Sequence, residues 1–163
     1  MTEIIGIIIA AVLHELGHLI AIKLCGGRLC GFRLTFSGAE IDAELCELNR
    51  GKRAVVYSAG AVVNLISGFI GMLLGFESFS AASMSLGAIN LLPVRLLDGG
   101  CLIHELIGHE SIFLDILTAG IIFILWLLAM IMLIYSGSVS LWIFASYLFV
   151  EMYLRQHRII LSA

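Results

Sequence analysis

Charge is scarce in this sequence of 163 residues: Asp, Glu, Lys and Arg together make 13 % of it. That is about half the share of a soluble domain, whose surface has to face water. Hydrophobic residues make 61 % and the mean hydropathy is +1.09, so a soluble globular domain, a disordered chain and a secreted disulfide scaffold are all excluded. Basic residues are few as well, nine against twelve acidic for a formal net charge of −3. No basic run or aromatic-interleaved basic stripe exists, which argues against nucleic acid as a partner. The four cysteines, Cys25, Cys30, Cys46 and Cys101, show no C-x-x-C or other metal-ligand spacing and read as packing thiols.

What is abundant is long apolar runs. Crossing roughly 30 Å of hydrocarbon takes about 20 apolar residues in a helix. Five stretches qualify or nearly so: Ile4 to Ile22, Ala54 to Phe76, Ser78 to Val94, Ile116 to Tyr135 and a shorter Ser138 to Leu154. The first has neither a basic flank nor a small-residue cleavage site ahead of it, so it reads as a retained span and not a signal peptide. The single proline, Pro93, removes a backbone donor and disfavours helix at Leu92, so the third span is broken there. Irregular backbone at that depth has to be buried or line a cavity. The predicted fold class is an all-α polytopic membrane protein with about five transmembrane helices.

The polar segment Lys23 to Arg53 holds six of the nine basic residues and is expected in the cytoplasm, which puts Met1 outside and the C-terminus inside. Within it, Phe32, Leu34 and Phe36 alternate with Arg33 and Thr35, Ser37-Gly38 punctuates, and Ile41, Ala43 and Leu45 alternate with Asp42 and Glu44. That pattern predicts a small β-hairpin at the membrane surface, with an open edge to which an extended substrate strand could add.

Three ionisable residues interrupt the first span. Each costs on the order of 2.5–3.5 kcal/mol at a helix centre if charged, so a function or an internal partner is expected. His14 and His18 are four residues apart, about 400° around a helix, so both imidazoles leave one face and can bind a single zinc ion. Glu15 is placed to act as a base beside them instead of as a ligand, and Gly17 permits close approach of another helix. A catalytic zinc site needs a third protein ligand. Asp98, just after the break at Pro93, is the best placed, with Gly99 and Gly100 allowing a tight turn that presents it from a loop; Asp115 and Glu151 fall near the membrane surfaces. Asn90, less than a turn before the proline, could bind substrate backbone or a developing oxyanion. Asn64, within the second span, could bond another helix or line the site. The similar string His104-Glu105-Leu106-Ile107-Gly108-His109 has its histidines five apart, some 140° around a helix, and reads as structural. The fourth span, with Trp126, reads as lipid-facing or packed helix.

His14-Glu15-Leu16-Gly17-His18 in a membrane span, followed by Asn90-x-x-Pro93 and Leu97-Asp98-Gly99, resembles the site-2 protease family of intramembrane zinc metalloproteases. The layout is most similar to the compact bacterial members that process sporulation sigma factors. The resemblance implies a catalytic membrane core over residues 1–110, followed over 111–163 by two more transmembrane helices and a short cytoplasmic tail. Neither a PDZ nor a nucleotide-sensing domain is expected. It implies one zinc held by His14, His18 and Asp98, Glu15 as catalytic acid and base, and Asn90 as an aid to substrate or transition-state binding. Asn64 lies in a stretch similar to the family's second core span, with Ala61 where proline is usual. The implied activity is endopeptidase cleavage in or near transmembrane segments of membrane proteins, in a bacterial cell membrane. Partners are then the bilayer and a membrane-spanning or membrane-associated protein substrate, with room for a regulatory membrane protein or a homo-oligomer. Two rival readings use the same residues: a metal-ion transporter, and a catalytically inactive homologue that binds membrane proteins.

Overall fold

The computed structural model describes residues 2–35, 38–45, 48–107 and 112–136, together with seven helical residues at 139, 142–143, 146–147 and 149–150. Helix α1 (Thr2–Cys25) leads into strands β1 (Arg28–Thr35) and β2 (Gly38–Glu44), then α2 (Arg50–Leu73), α3 (Glu77–Asn90), α4 (Asp98–Ile107) and α5 (Ile112–Ser136). Among the described residues, α1, α2 and α5 are long and apolar enough to cross a membrane. Helix α3 is shorter than the expected third span, ending at Asn90 three residues ahead of Pro93, and the fifth expected span, Ser138 to Leu154, lies mostly outside the described residues.

The helices are built inside out relative to soluble ones. On α1 the buried positions Gly6, Ala10, His14, Gly17 and Ala21 recur every three or four residues and are small or polar, whereas Ile4, Ile5, Ile7, Ile8, Val12, Leu16 and Ile20 are exposed. The same holds on α2, where Gly60, Ala61, Asn64, Gly68 and Gly71 are buried and Val62, Ile66, Phe69, Ile70 and Leu73 face outward. Lipid tails are as apolar as leucine, so large side chains gain nothing by turning inward; small residues let backbones meet and collect dispersion energy instead. Helix α3 joins with Ser80, Ser83 and Gly87, the Ser80 hydroxyl donating to the Gly68 carbonyl at 2.7 Å. Helices α1, α2 and α3 thereby pack mutually into a three-helix unit.

Two glycines with positive φ end the long helices, Gly26 after α1 and Gly75 after α2, each followed by an N–H that reaches back five residues to a carbonyl (Gly27 to Ile22, Phe76 to Gly71). Helix α2 starts at Asn49, whose side chain accepts from the Lys52 N–H at 2.9 Å. Strands β1 and β2 pair antiparallel from Arg28↔Glu44 to Thr35↔Gly38, with one irregularity between Leu29 and Gly31. The chain returns through Leu45 and Leu48, which pack with Ala21, Ile22 and Val56 and bind the end of α1 to the start of α2.

Candidate metal centre

The centre lies where α1, α2 and the start of α4 converge. The pattern that places it is the small-residue face of α1: His14 sits on the stripe that packs against α2, and His18 one turn on. Gly17 lets α2 approach so closely that a Cβ there would stand 3.0 Å from the Ala59 carbonyl oxygen and 3.1 Å from the Gly60 Cα. Opposite, Gly60 lies directly against the two imidazoles; a Cβ at Gly60 would collide with His18 Nε2 and stand 2.8 Å from His14 Cε1.

Asp98 reaches the histidines by a route the sequence reading described differently. It is the first residue of α4, not a loop residue, and Gly99 and Gly100 do not turn the backbone with positive φ. They serve close packing: a Cβ on Gly99 would run into the Leu91 and Leu92 carbonyls, and one on Gly100 into the Val94 carbonyl. The segment 91–97 folds under α4 through bonds from Leu97 N to Val94 O at 2.8 Å and from Cys101 N to Leu97 O at 3.2 Å, with Val94 fully buried. The irregular backbone around Pro93 is thus packed against α4 and partly covered by protein, with Val94 buried at its centre.

Three donor atoms meet. His18 Nε2 is 3.2 Å from His14 Nε2 and 3.0 Å from Asp98 Oδ2, and His14 Nε2 is 3.0 Å from the same oxygen. Ligands at about 2.1 Å in a tetrahedron lie about 3.4 Å apart, so these separations are within a few tenths of an ångström of what a zinc ion would require of its donors. His18 is also oriented from behind: its Nδ1–H donates to the Val56 carbonyl at 2.8 Å, which fixes the ring with Nε2 turned toward the triangle. Donor set, spacing and orientation all fit zinc, and His14, His18 and Asp98 form the group among the described residues that could hold a metal ion.

Of the other expected site residues, Glu15 is half-buried and close enough to interact electrostatically with His14, His18 and Asp98. Asn64 is fully buried, with its amide nitrogen 3.3 Å from His14 Nδ1, so it touches the centre itself. Asn90 is half-buried and its amide donates to the Leu86 carbonyl of its own helix at 3.0 Å. Asp115 is paired with Arg95 at 2.8 Å, away from the triangle, and Glu151 and His109 lie outside the described residues. His104 lines a separate cavity of about 200 Å³ with Tyr57, Arg95, Gly100, Cys101 and Glu105. Sequence reasoning missed Gly60 as a wall of the site and Thr118 of α5. The Thr118 hydroxyl accepts from the Arg95 N–H at 3.3 Å and donates to the Pro93 carbonyl at 3.4 Å, bracing the segment ahead of Asp98. A threonine on the buried Leu114–Thr118–Ile122 stripe of a mostly apolar helix was the available signal.

No family model and no curated protein matches the sequence. Among solved structures, the chain is similar to a site-2 protease from Methanocaldococcus jannaschii, with a TM-score of 0.66 and 22 % identity over 94 % of this chain and 76 % of that one. At that identity the likeness is one of fold, and the fold is that of a site-2 protease.

Proposed function

We propose that this chain is an intramembrane zinc metalloprotease, an endopeptidase that hydrolyses peptide bonds in or near transmembrane segments of membrane proteins and so serves regulated intramembrane proteolysis. The observation that carries the reading is the triangle of His14 Nε2, His18 Nε2 and Asp98 Oδ2, with mutual separations of 3.0–3.2 Å, built on the fold of a known intramembrane protease. One zinc per chain, when bound there, supplies Lewis acidity that makes water nucleophilic near neutral pH and polarises a carbonyl oxygen. Glu15 takes the proton of the attacking water and returns it to the nitrogen of the leaving amine, so the amide is exchanged for a carboxylate and an amine with no other reactant. Asn90 keeps one amide N–H beyond the bond to Leu86 and offers it to substrate backbone or to the oxyanion. A helix hides its carbonyls in its own hydrogen bonds, so the substrate has to unwind locally, and Gly, Asn or Pro near the cut favours cleavage.

In this reading the segment with β1 and β2 is cytoplasmic, the N-terminus is outside, and the substrate is a membrane-spanning or membrane-associated protein. The test measures zinc per chain in detergent-purified wild type and Asp98→Ala, then cleavage of a membrane-protein substrate by wild type and Glu15→Gln. About one zinc in wild type, its loss in Asp98→Ala, and zinc retained without cleavage in Glu15→Gln are expected. Folded wild type that takes up no zinc overturns the metal centre. Cleavage at the wild-type rate by Glu15→Gln overturns the mechanism, and zinc flux through proteoliposomes that survives that substitution would make the chain a transporter.

A further inference from the structure

Beyond the three donors, one buried polar side chain reaches the centre. His14 turns Nε2 toward Asp98 and His18, so its other ring nitrogen, Nδ1, faces α2, and there it meets the carboxamide of Asn64 at 3.3 Å. Asn64 is 0 % exposed, and its Oδ1 has no hydrogen-bond partner among the described residues.

A histidine that coordinates through Nε2 carries its proton on Nδ1, and with His14 and its neighbour on α2 both buried that proton needs an acceptor from the protein. His18 has one in the Val56 carbonyl. For His14 the group at that place is Asn64. The oxygen and nitrogen ends of a carboxamide are nearly isosteric, and the half-turned amide sets its oxygen against Nδ1. The backbone of Asn64 is fixed meanwhile: its carbonyl accepts from the Ser83 hydroxyl at 3.0 Å, Ser67 Oγ lies 3.2 Å from the same carbonyl, and a Cβ on Gly87 would stand 3.2 Å from the Asn64 Cβ. The side chain is therefore held at His14 with rotation of the amide as its remaining freedom.

We propose that Asn64 is a positioning residue of the metal centre: its amide oxygen accepts the Nδ1 proton of His14 and thereby commits Nε2 to the metal. This rests on the metal-centre reading above. It also assigns the two histidines different orienting partners, a backbone carbonyl for His18 and a side chain for His14, so that His14 is the one that substitution can disturb.

The test is zinc affinity of the full chain in detergent, by competition with a chromogenic chelator, for wild type, Asn64→Leu, Asn64→Asp and Ser83→Ala. Leucine keeps the volume and removes the acceptor; aspartate keeps an acceptor; Ser83→Ala removes a bond to the Asn64 backbone and leaves the carboxamide alone. The expected result is a 10- to 100-fold loss of affinity in Asn64→Leu, wild-type or tighter binding in Asn64→Asp, and Ser83→Ala within about threefold of wild type. Asn64→Leu that binds within about threefold of wild type, or no more weakly than Ser83→Ala, overturns the proposal. Should Asn64→Leu fail to fold, ¹⁵N shifts of the histidine rings in zinc-loaded wild type decide: His14 protonated at Nδ1 and bound through Nε2 supports it, and binding through Nδ1 overturns it. Wild type that takes up no zinc defeats the metal centre itself, a result distinct from either.

Discussion

Replacing Gly60 by alanine adds one methyl group to α2, and the structure puts that methyl against both imidazoles. Its carbon would stand 2.8 Å from His14 Cε1 and 2.8 Å from His18 Cδ2. Carbon atoms at rest are at least about 3.5 Å apart, so each ring has to retreat by about 0.7 Å or α2 has to move as a whole. Neither is cheap. The His18 ring is pinned through Nδ1 to the Val56 carbonyl one turn away on the same helix, and α2 is held against α1 at Gly17, where a Cβ would already be 3.0 Å from the Ala59 carbonyl oxygen. Overpacking of this kind costs about 1–3 kcal/mol. Coordination distances tolerate only about 0.2 Å, so a 0.7 Å shift damages metal binding more than folding. Gly51→Ala in the first turn of the same helix, where the nearest atom is Asn49 Oδ1 at 3.7 Å, and Gly120→Ala on α5, where nothing lies within 4 Å, are the controls. Each should be neutral or stabilising by about 0.5–1 kcal/mol through helix propensity. Thermal unfolding in detergent and chelator competition for zinc, run on all three, separate the effects. Wild-type zinc affinity in Gly60→Ala would refute the placement of α2 against the histidines.

Two further outcomes follow from the same packing. A metal that ties α1 to α4 binds the folded chain and not the unfolded one, so zinc at about 1,000 times its Kd should stabilise wild type by about 4 kcal/mol and raise its Tm; a chelator should reverse this, and Asp98→Ala should show no response to either. Arg53 Nε lies 2.9 Å from Glu105 Oε2, both side chains largely buried, linking the start of α2 to α4. Arg53→Met strands the carboxylate and should cost about 3 kcal/mol, whereas Arg53→Met with Glu105→Leu should recover most of it; equal losses in the single and double variants would mean the pair contributes nothing.

The donor cluster was legible because chemistry constrains spacing: His14 and His18 one turn apart inside an apolar run have few inexpensive explanations, and Asp98, the ionisable residue best placed to join them, does lie beside both. The long helices were legible too, since length and apolarity decide them. Packing direction was harder to read. Which face of α2 turns inward depends on the stripe of Gly60, Asn64 and Gly68, whose small and polar residues carry no sign of which neighbour each will meet. The sequence left Asn64 either bonding another helix or lining the site; it is Asn64 that touches His14, while Asn90 bonds its own helix. The role of Gly99 and Gly100 was misread for a related reason. Glycine marks both turns and close approaches, and only the position of the Leu91 and Val94 carbonyls distinguishes the two.

The same limit hid the part played by α5, which the sequence left as either a lipid-facing or a packed helix. Asp98 is 80 residues from His18 along the chain, and its position relative to α1 depends on the irregular segment 91–97, which has no helix of its own to stiffen it. Thr118, 2 % exposed, holds the backbone on both sides of Val94, and Arg95 is tied to Asp115 at 2.8 Å, so α5 stiffens that segment from outside. Thr118→Val keeps the shape and leaves the Arg95 N–H without its partner, at a cost of about 1–3 kcal/mol. If α5 only filled space, that cost would appear in global stability and zinc affinity would not change. Because the lost bonds lie three and five residues before Asp98, the substitution should instead weaken zinc binding severalfold, while Phe123→Leu on the exposed face of the same helix leaves it unchanged. Chelator competition on the two variants distinguishes these outcomes, and equal affinities would return α5 to the role of a lipid-facing helix.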